Sequence, residues 1–327
     1  MQENTNVLFT NAFEEDIYNG LTKYPKQLSS KYFYDANGDK LFQDIMKMPE
    51  YYLTDCEFSI LEKYKEEISA LFYKHEQAFS FIELGAGDGK KTKILLEYFS
   101  HKKIDFKYQP IDISQNALDL LEKSLNQELP NVTVEKLQGS YFDALNKAHI
   151  QNDVKKIILF LGSNIGNMLH HEAIDFLNSI GDYMHSEDLF LVGFDLKKNP
   201  QTILDAYNDP TGITAAFNKN ILLRINTSLD ANFNLDAFKH WETYNPETGT
   251  AKSYLVSTKD QEVTLKNLDL KIEFKAWETI HTEVSQKYDD QTVEHIAKSA
   301  GLEIVTQFSD EKTYYKNYIF RKQSSNI

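Results

Sequence analysis

From residue 79 onward, short apolar runs alternate with segments whose apolar positions recur every three or four residues. Phe79–Leu84 is an apolar run ending in glycines, and Lys90–Phe99 follows with helical spacing. Tyr108–Asp112, Val132–Leu137, Lys156–Gly162 and Leu189–Asp195 read as further strands, with helices over Ser114–Leu125 and 169–183. Strand and helix alternating in this way predict an α/β fold, a parallel sheet with right-handed crossovers. Upstream, the first fifty residues read as irregular helix. Thr54-Asp55-Cys56-Glu57 reads as a capping box that opens a helix to about residue 73, with Ile60, Leu61, Tyr64 and Ile68 on one face.

The pattern changes after Asp195. Residues 200–230 have helical spacing, and 235–287 alternate polar with apolar, with turns at Asn245-Pro246 and Glu247-Thr248-Gly249. Ser285–Ala300 reads as helix, and Leu302–Phe308 with Tyr314–Arg321 as an antiparallel hairpin. These changes divide the chain into a core of residues 54–196 and 286–327 and an additional, substrate-binding region of 1–53 and 197–285.

Composition narrows the classes. Asp and Glu number 49 against 35 Lys and Arg, a net charge of -14, which disfavours a nucleic-acid partner. The 19 Tyr and 21 Phe argue for a large core with some aromatics free to line a pocket. Cys56 is the single cysteine, so an internal disulfide and Cys-rich metal sites are excluded. Its neighbours place it as a buried thiol on a helix. With no signal peptide in MQENTNVLFT and no apolar run of membrane-spanning length, a cytoplasmic protein without a membrane partner is expected, as a monomer or weak oligomer.

The sharpest chemical signal is Phe81-Ile82-Glu83-Leu84-Gly85-Ala86-Gly87-Asp88-Gly89, a strand running through glycines into a helix. Glycines let the backbone approach a ligand, and the helix start offers free N–H groups to a carboxylate or phosphate. Asp112 ends the next strand, where an acidic side chain meets ribose hydroxyls in doubly wound sheets. A dinucleotide site wants G-x-G-x-x-G, but Lys90 stands where its third glycine would fall. Glu83 just before the glycines points instead to S-adenosylmethionine (SAM) and a Rossmann-like class I SAM-dependent methyltransferase. Ser140 and Tyr141, after the third strand, are candidates for the adenine end; helix capping is the competing role. Asn167, after the fourth strand, offers two donors and an acceptor at the sheet edge where substrates bind.

Seven stretches, in order along nearly the whole chain, carry a resemblance. They are Lys31-Tyr32-Phe33-Tyr34-Asp35, Pro49-Glu50-Tyr51-Tyr52-Leu53-Thr54, Glu83-Leu84-Gly85-Ala86-Gly87 and Leu161-Gly162-Ser163-Asn164-Ile165-Gly166-Asn167. Then come Ala206-Tyr207-Asn208-Asp209, Gly212-Ile213-Thr214-Ala215-Ala216-Phe217-Asn218 and His281-Thr282-Glu283-Val284-Ser285-Gln286-Lys287-Tyr288. The chain resembles the histidine-specific N-α-methyltransferases of ergothioneine biosynthesis, which convert histidine to its trimethylated betaine, hercynine.

The resemblance implies that Asn167 and Tyr207 hold the substrate carboxylate, and that Asn167 and Tyr51 orient the amine. It places Tyr34 near the cofactor–substrate junction. Glu283 and Ser285 would read the imidazole nitrogens, a task their acceptor and hydroxyl groups suit. Gly85, Lys91 and Asp112 would bind SAM, with Lys91 facing the methionine carboxylate and Gly87 in the same turn. No metal is implied. Two positions depart from the family: Ser140 stands where Asp is usual, and Ser253 where a larger apolar residue is expected near the imidazole. The alternatives are a SAM-dependent N-methyltransferase of another amino acid or small amine, an NAD(P)-dependent oxidoreductase, and a non-catalytic SAM-binding regulator.

Overall fold

A computed structural model describes residues 9–74, 77–151 and 154–323. In chain order, α1 (Ala12–Thr22), β1 (Lys26–Gln27), α2 (Ala36–Ile45) and α3 (Leu53–Phe72) come first. The alternating stretch follows as β2 (Phe79–Leu84), α4 (Thr92–Lys102), β3 (Phe106–Asp112), α5 (Gln115–Glu128), β4 (Leu137–Gln138) and α6 (Tyr141–Gln151). It continues through β5 (Lys155–Phe160), α7 (His170–Tyr183) and β6 (Leu189–Asp195). Next are α8 (Pro200–Tyr207), α9 (Ile213–Leu229), β7 (Phe238–Asn245), β8 (Thr250–Ser257), β9 (Gln261–Leu265), β10 (Leu270–Phe274) and β11 (Thr279–Gln286). Last are α10 (Asp290–Ser299), β12 (Leu302–Ser309) and β13 (Tyr315–Lys322). The chain separates into two compact units, residues 53–197 with 286–327 and residues 1–52 with 198–285. Among the described residues no helix is long and apolar enough to cross a membrane.

The unit of residues 53–197 and 286–327 is built on a seven-stranded sheet in the order β12-β13-β6-β5-β2-β3-β4. Strands β2 to β6 run parallel, and β13 is antiparallel to both β6 and β12. Every residue of β2 and β6 is buried, as expected of parallel strands covered on both faces. Phe79 and Phe81 of β2 pack edge-on with Phe99 of α4, while Ile82 and Leu84 join Phe160, Phe176 and Phe190 in a second layer. Strand order reverses at β2, which pairs with β3 on one side and β5 on the other. The carboxyl ends of β2 and β5 therefore open the crevice where doubly wound sheets bind ligands.

Four local expectations are corrected. The capping box is not formed: α3 starts at Leu53, and Thr54 and Glu57 are both buried inside it. Val132–Leu137 contributes only an isolated bridge, Tyr108 to Val134, and Leu137, the first residue of β4. The helical stretch 200–230 breaks into α8 and α9, because the Asp209 carboxylate accepts from Thr211 Oγ1 and from the backbone N–H of Ile213 (3.0 Å) and Thr214 (2.8 Å). These donors hold its carboxyl down at about 2, although burial pushes the other way. Residues 285 and 286 remain in β11, and α10 begins after Asp289, whose carboxylate caps Thr292 N at 2.8 Å.

The other unit holds a four-stranded sheet, β1-β11-β8-β7, and a β9–β10 hairpin. Its core combines Ile17, Phe33, Phe217, Ile221, Phe238, Leu255 and Ile280. Along β7, buried Phe238, His240 and Glu242 alternate with exposed Lys239, Trp241 and Thr243, the period-two pattern of a half-buried strand. His240 is anomalous on that inward face. It is 6% exposed, and neither ring nitrogen has a hydrogen-bond partner among the described residues. Burial holds its pKa down at about 4, with Asp209 pulling up and Lys219 pushing down.

A histidine whose folded pKa lies below its unfolded one stabilises the fold above the unfolded value. That stability is lost as pH falls through the folded value. His240 should therefore cost up to about 3 kcal/mol between pH ~6.5 and ~4. His240→Leu should lack that loss in urea melts at pH 7.5 and 4.5, and an unchanged difference between the two pH values would contradict the assignment.

Candidate functional site

The turn after β2 is a cradle. Gly85 has φ +73°, and a methyl group on it would lie 3.0 Å from Tyr141 Oη and 3.4 Å from Asn164 Nδ2. Only glycine suits both the left-handed backbone and that close approach. The backbone N–H groups of Gly85 and Ala86 bond the Ile111 carbonyl at 2.8 and 3.2 Å, tying the turn to the end of β3. There Asp112 accepts from Gly87 N (3.2 Å) and Ser114 N (2.9 Å). Gly85, Gly87, Asp112 and Tyr141 are thus brought together. Burial, with the Asp112 charge, pushes the Tyr141 phenol well up, so it stays a neutral hydroxyl. The Ser140 hydroxyl donates to Asp143 Oδ2 (2.6 Å) and accepts from Asp143 N (3.3 Å), capping α6.

Beneath the cradle lies Glu83, inside β2. It accepts from the hydroxyls of Thr92 and Tyr108, yet burial outweighs these donors and pushes its carboxyl up to about 7. Beside it, Lys91 at the N-cap of α4 pairs with Glu57 at 2.5 Å. Glu57 is fully buried and also accepts from Gly162 N, Tyr315 Oη and Asn317 Nδ2. Reading Glu57 as a cap missed this. The available signal was its spacing: residues 57, 60, 61, 64 and 68 share one face of α3, so the carboxylate is buried with Ile60, Leu61 and Ile68.

At the end of β5, Ser163 adopts a left-handed backbone (φ +55°) and opens a short 3-10 turn, Asn164–Asn167. Ser163 Oγ accepts from Asp195 N at 3.1 Å, and Asp195 forms a fully buried ion pair with Lys287 at 2.7 Å. Asn167 ends that turn and is exposed.

The remaining candidates belong to the other unit. Tyr34, Phe42 and Phe217 form a cluster with ring centroids 5.5 to 5.8 Å apart. Tyr51 adds to it through Phe42 at 6.3 Å and reaches Tyr207 at 6.4 Å. Tyr207 Oη and Ser285 Oγ are hydrogen-bonded at 2.6 Å. Glu283 is reached by Ser253, whose hydroxyl lies 3.3 Å from Glu283 Oε2 and 2.6 Å from Glu242 Oε2. A single hydroxyl proton serves one acceptor at a time, so Ser253 lies between the two carboxylates and donates to one of them. Glu242 was not anticipated; its mark in the sequence is only a charge at an inward position of an alternating strand.

Comparison with known proteins gives consistent matches. The profile of the histidine-specific, SAM-dependent methyltransferase family matches residues 13–322. Histidine N-alpha-methyltransferase from Mycobacterium tuberculosis is 34% identical over 92% of this chain and 92% of its own length. Its namesake from Mycolicibacterium smegmatis is 35% identical over 89% of each. An L-tryptophan methyltransferase from Psilocybe serbica is 29% identical over 91% of this chain and 90% of its own length.

Glu83 carries a prediction of its own. An acid whose folded pKa is raised stabilises the protonated fold below the unfolded value, and that stability is lost as pH rises through the folded value. Stability should fall by about 3 kcal/mol between pH ~4.5 and ~7 on account of Glu83. Glu83→Gln keeps the shape without the charge, so between pH 4.5 and 7.5 chemical denaturation should show the variant gaining about 3 kcal/mol relative to the parent protein.

Proposed function

We propose that this chain, which belongs to the family of histidine-specific, SAM-dependent methyltransferases, methylates the α-amino nitrogen of L-histidine and carries the product to the trimethylated betaine, hercynine. The observation that carries the acceptor assignment is the pair of hydrogen-bonded sets Tyr207–Ser285 and Glu242–Ser253–Glu283. Imidazole needs an acceptor for its N–H and a hydroxyl for its other nitrogen, and Glu283 and Ser285 supply both. The names of the mycobacterial relatives support the same acceptor.

SAM supplies a methyl group already activated by its sulfonium sulfur. On this reading Gly85 and Gly87 allow its close approach, Asp112 meets the ribose hydroxyls, and Lys91 meets the methionine carboxylate. Tyr141 and Ser140 serve the adenine end, and Tyr34 borders the reacting centre. The space over Gly87, where a methyl group would meet nothing within 4 Å, leaves room for such a ligand beside the turn. For the acceptor, Asn167 and Tyr207 hold the carboxylate, and Asn167 and Tyr51 orient the amine. An amino acid's amine is mostly protonated at neutral pH, so it must lose a proton before its lone pair can attack. Tyr34 and Tyr51 position the nitrogen while water or a nearby carboxylate takes that proton. Holding two reactants in an attack geometry contributes roughly 7–11 kcal/mol. Aromatic faces such as those of Tyr34, Tyr51 and Phe217 tolerate the growing methylammonium cation without trapping it as a carboxylate would.

A second reading, methylation of another amino acid's amine, is favoured by Ser253, which leaves less apolar surface than the residue expected there. The relative named as a tryptophan methyltransferase keeps that reading in view.

Incubation with SAM and a panel of amino acids should give mass increments of one, two and three methyl groups with histidine alone. Another amino acid outcompeting histidine would transfer the assignment to the second reading. Glu283→Ala should lower kcat/KM for histidine about 10- to 100-fold while leaving S-adenosylhomocysteine affinity unchanged. Parallel loss of both would remove the imidazole role.

A further inference from the structure

We propose that Glu57 is a positioning residue for cofactor binding: it holds the Lys91 ammonium at the glycine turns, where that ammonium takes the carboxylate of the cofactor's amino-acid end. This inference rests on the assignment of Lys91 given above. It concerns a residue of α3, an element outside both turns that end β2 and β5.

The geometry is that of a built site. Glu57 Oε2 accepts from Lys91 Nζ (2.5 Å) and Gly162 N (2.7 Å), and Oε1 accepts from Tyr315 Oη and Asn317 Nδ2, each at 3.0 Å. Four donors from the start of α4, the turn after β5, and β13 leave the carboxylate no freedom to rotate. Gly193 of β6 makes room for it, since a methyl group there would collide with Glu57 Oε1 and Tyr315 Oη. Lys91 Nζ stands 3.4 Å from the point where a methyl group on Gly162 would lie. Asn164 Nδ2 stands 3.7 Å from that point and 3.4 Å from its counterpart on Gly85. Asn164 therefore borders both glycines, and Lys91 borders Gly162 beside it.

Physical chemistry explains why the lysine needs help. A long, flexible ammonium side chain loses rotamer freedom when fixed. Lys91 also sits at a helix N-terminus, where the helix dipole disfavours a cation. The Glu57 carboxylate offsets that repulsion and uses one of the three ammonium protons, so two stay available to an incoming anion.

The test compares two ligands by calorimetry on the full chain. S-adenosylhomocysteine carries the amino-acid end; 5′-methylthioadenosine has the same nucleoside and thioether without it. Glu57→Gln should weaken S-adenosylhomocysteine about tenfold or more and 5′-methylthioadenosine by less than about twofold. Lys91→Met should show the same selectivity, and the double variant should lose no more than Lys91→Met alone. Tyr315→Phe removes one donor from Glu57 and should give a smaller loss with the same selectivity, which keeps the test open if Glu57→Gln does not fold. Equal weakening of both ligands by Glu57→Gln and Tyr315→Phe would make Glu57 a structural residue only and overturn the proposal. If Lys91→Met is selective and Glu57→Gln is not, the positioning role fails while the lysine assignment stands. If Lys91→Met leaves both ligands unchanged, the lysine assignment fails and the positioning role falls with it.

Discussion

A carboxylate cannot be left alone inside a protein, and Glu57 is the place where this core unit meets that constraint. Transferring an ionised group out of water costs several kcal/mol unless charge and hydrogen bonds replace the lost hydration. Here one ammonium, one backbone N–H, one phenol and one amide do so together. Satisfying the charge forces α3, the start of α4, the turn after β5, and β13 into a single arrangement. The two glycine turns at the strand-order reversal inherit their spacing from it.

The second carboxylate of this region behaves differently. Glu83 lies within β2 and receives only hydroxyl donors, so burial dominates and its carboxyl is raised to about 7. Glu57 is tied to an ammonium and Glu83 is not. Two buried acids in neighbouring elements thus receive different hydrogen-bond donors, an ammonium among them at Glu57 and hydroxyls alone at Glu83.

The other unit breaks a local rule in a way that fits acceptor recognition. The inward face of a half-buried sheet should be apolar, yet β7 and β8 place His240, Glu242 and Ser253 there. Such violations are retained where chemistry requires them. Ser253 joins Glu242 to Glu283, and Ser285 is joined to Tyr207, so side chains far apart in the chain share hydrogen bonds. The aromatic set around Phe42 lends apolar walls to the same unit.

The sequence by itself determined the parallel α/β core, because buried strands and amphipathic helices impose periods of two and 3.6 that composition cannot hide. It also determined the glycine turn with Asp112 beside it, since those features depend on neighbours within one strand–turn–helix. Tertiary structure alone decided where β4 shrank to two residues and that residues 285–286 stayed in strand. It likewise decided that Glu57 is an internal anchor and no cap, and that Ser253 lies between two carboxylates. In each case the partner lies tens to hundreds of positions away or competes with a local preference. No periodicity records which buried donor a distant acid will find.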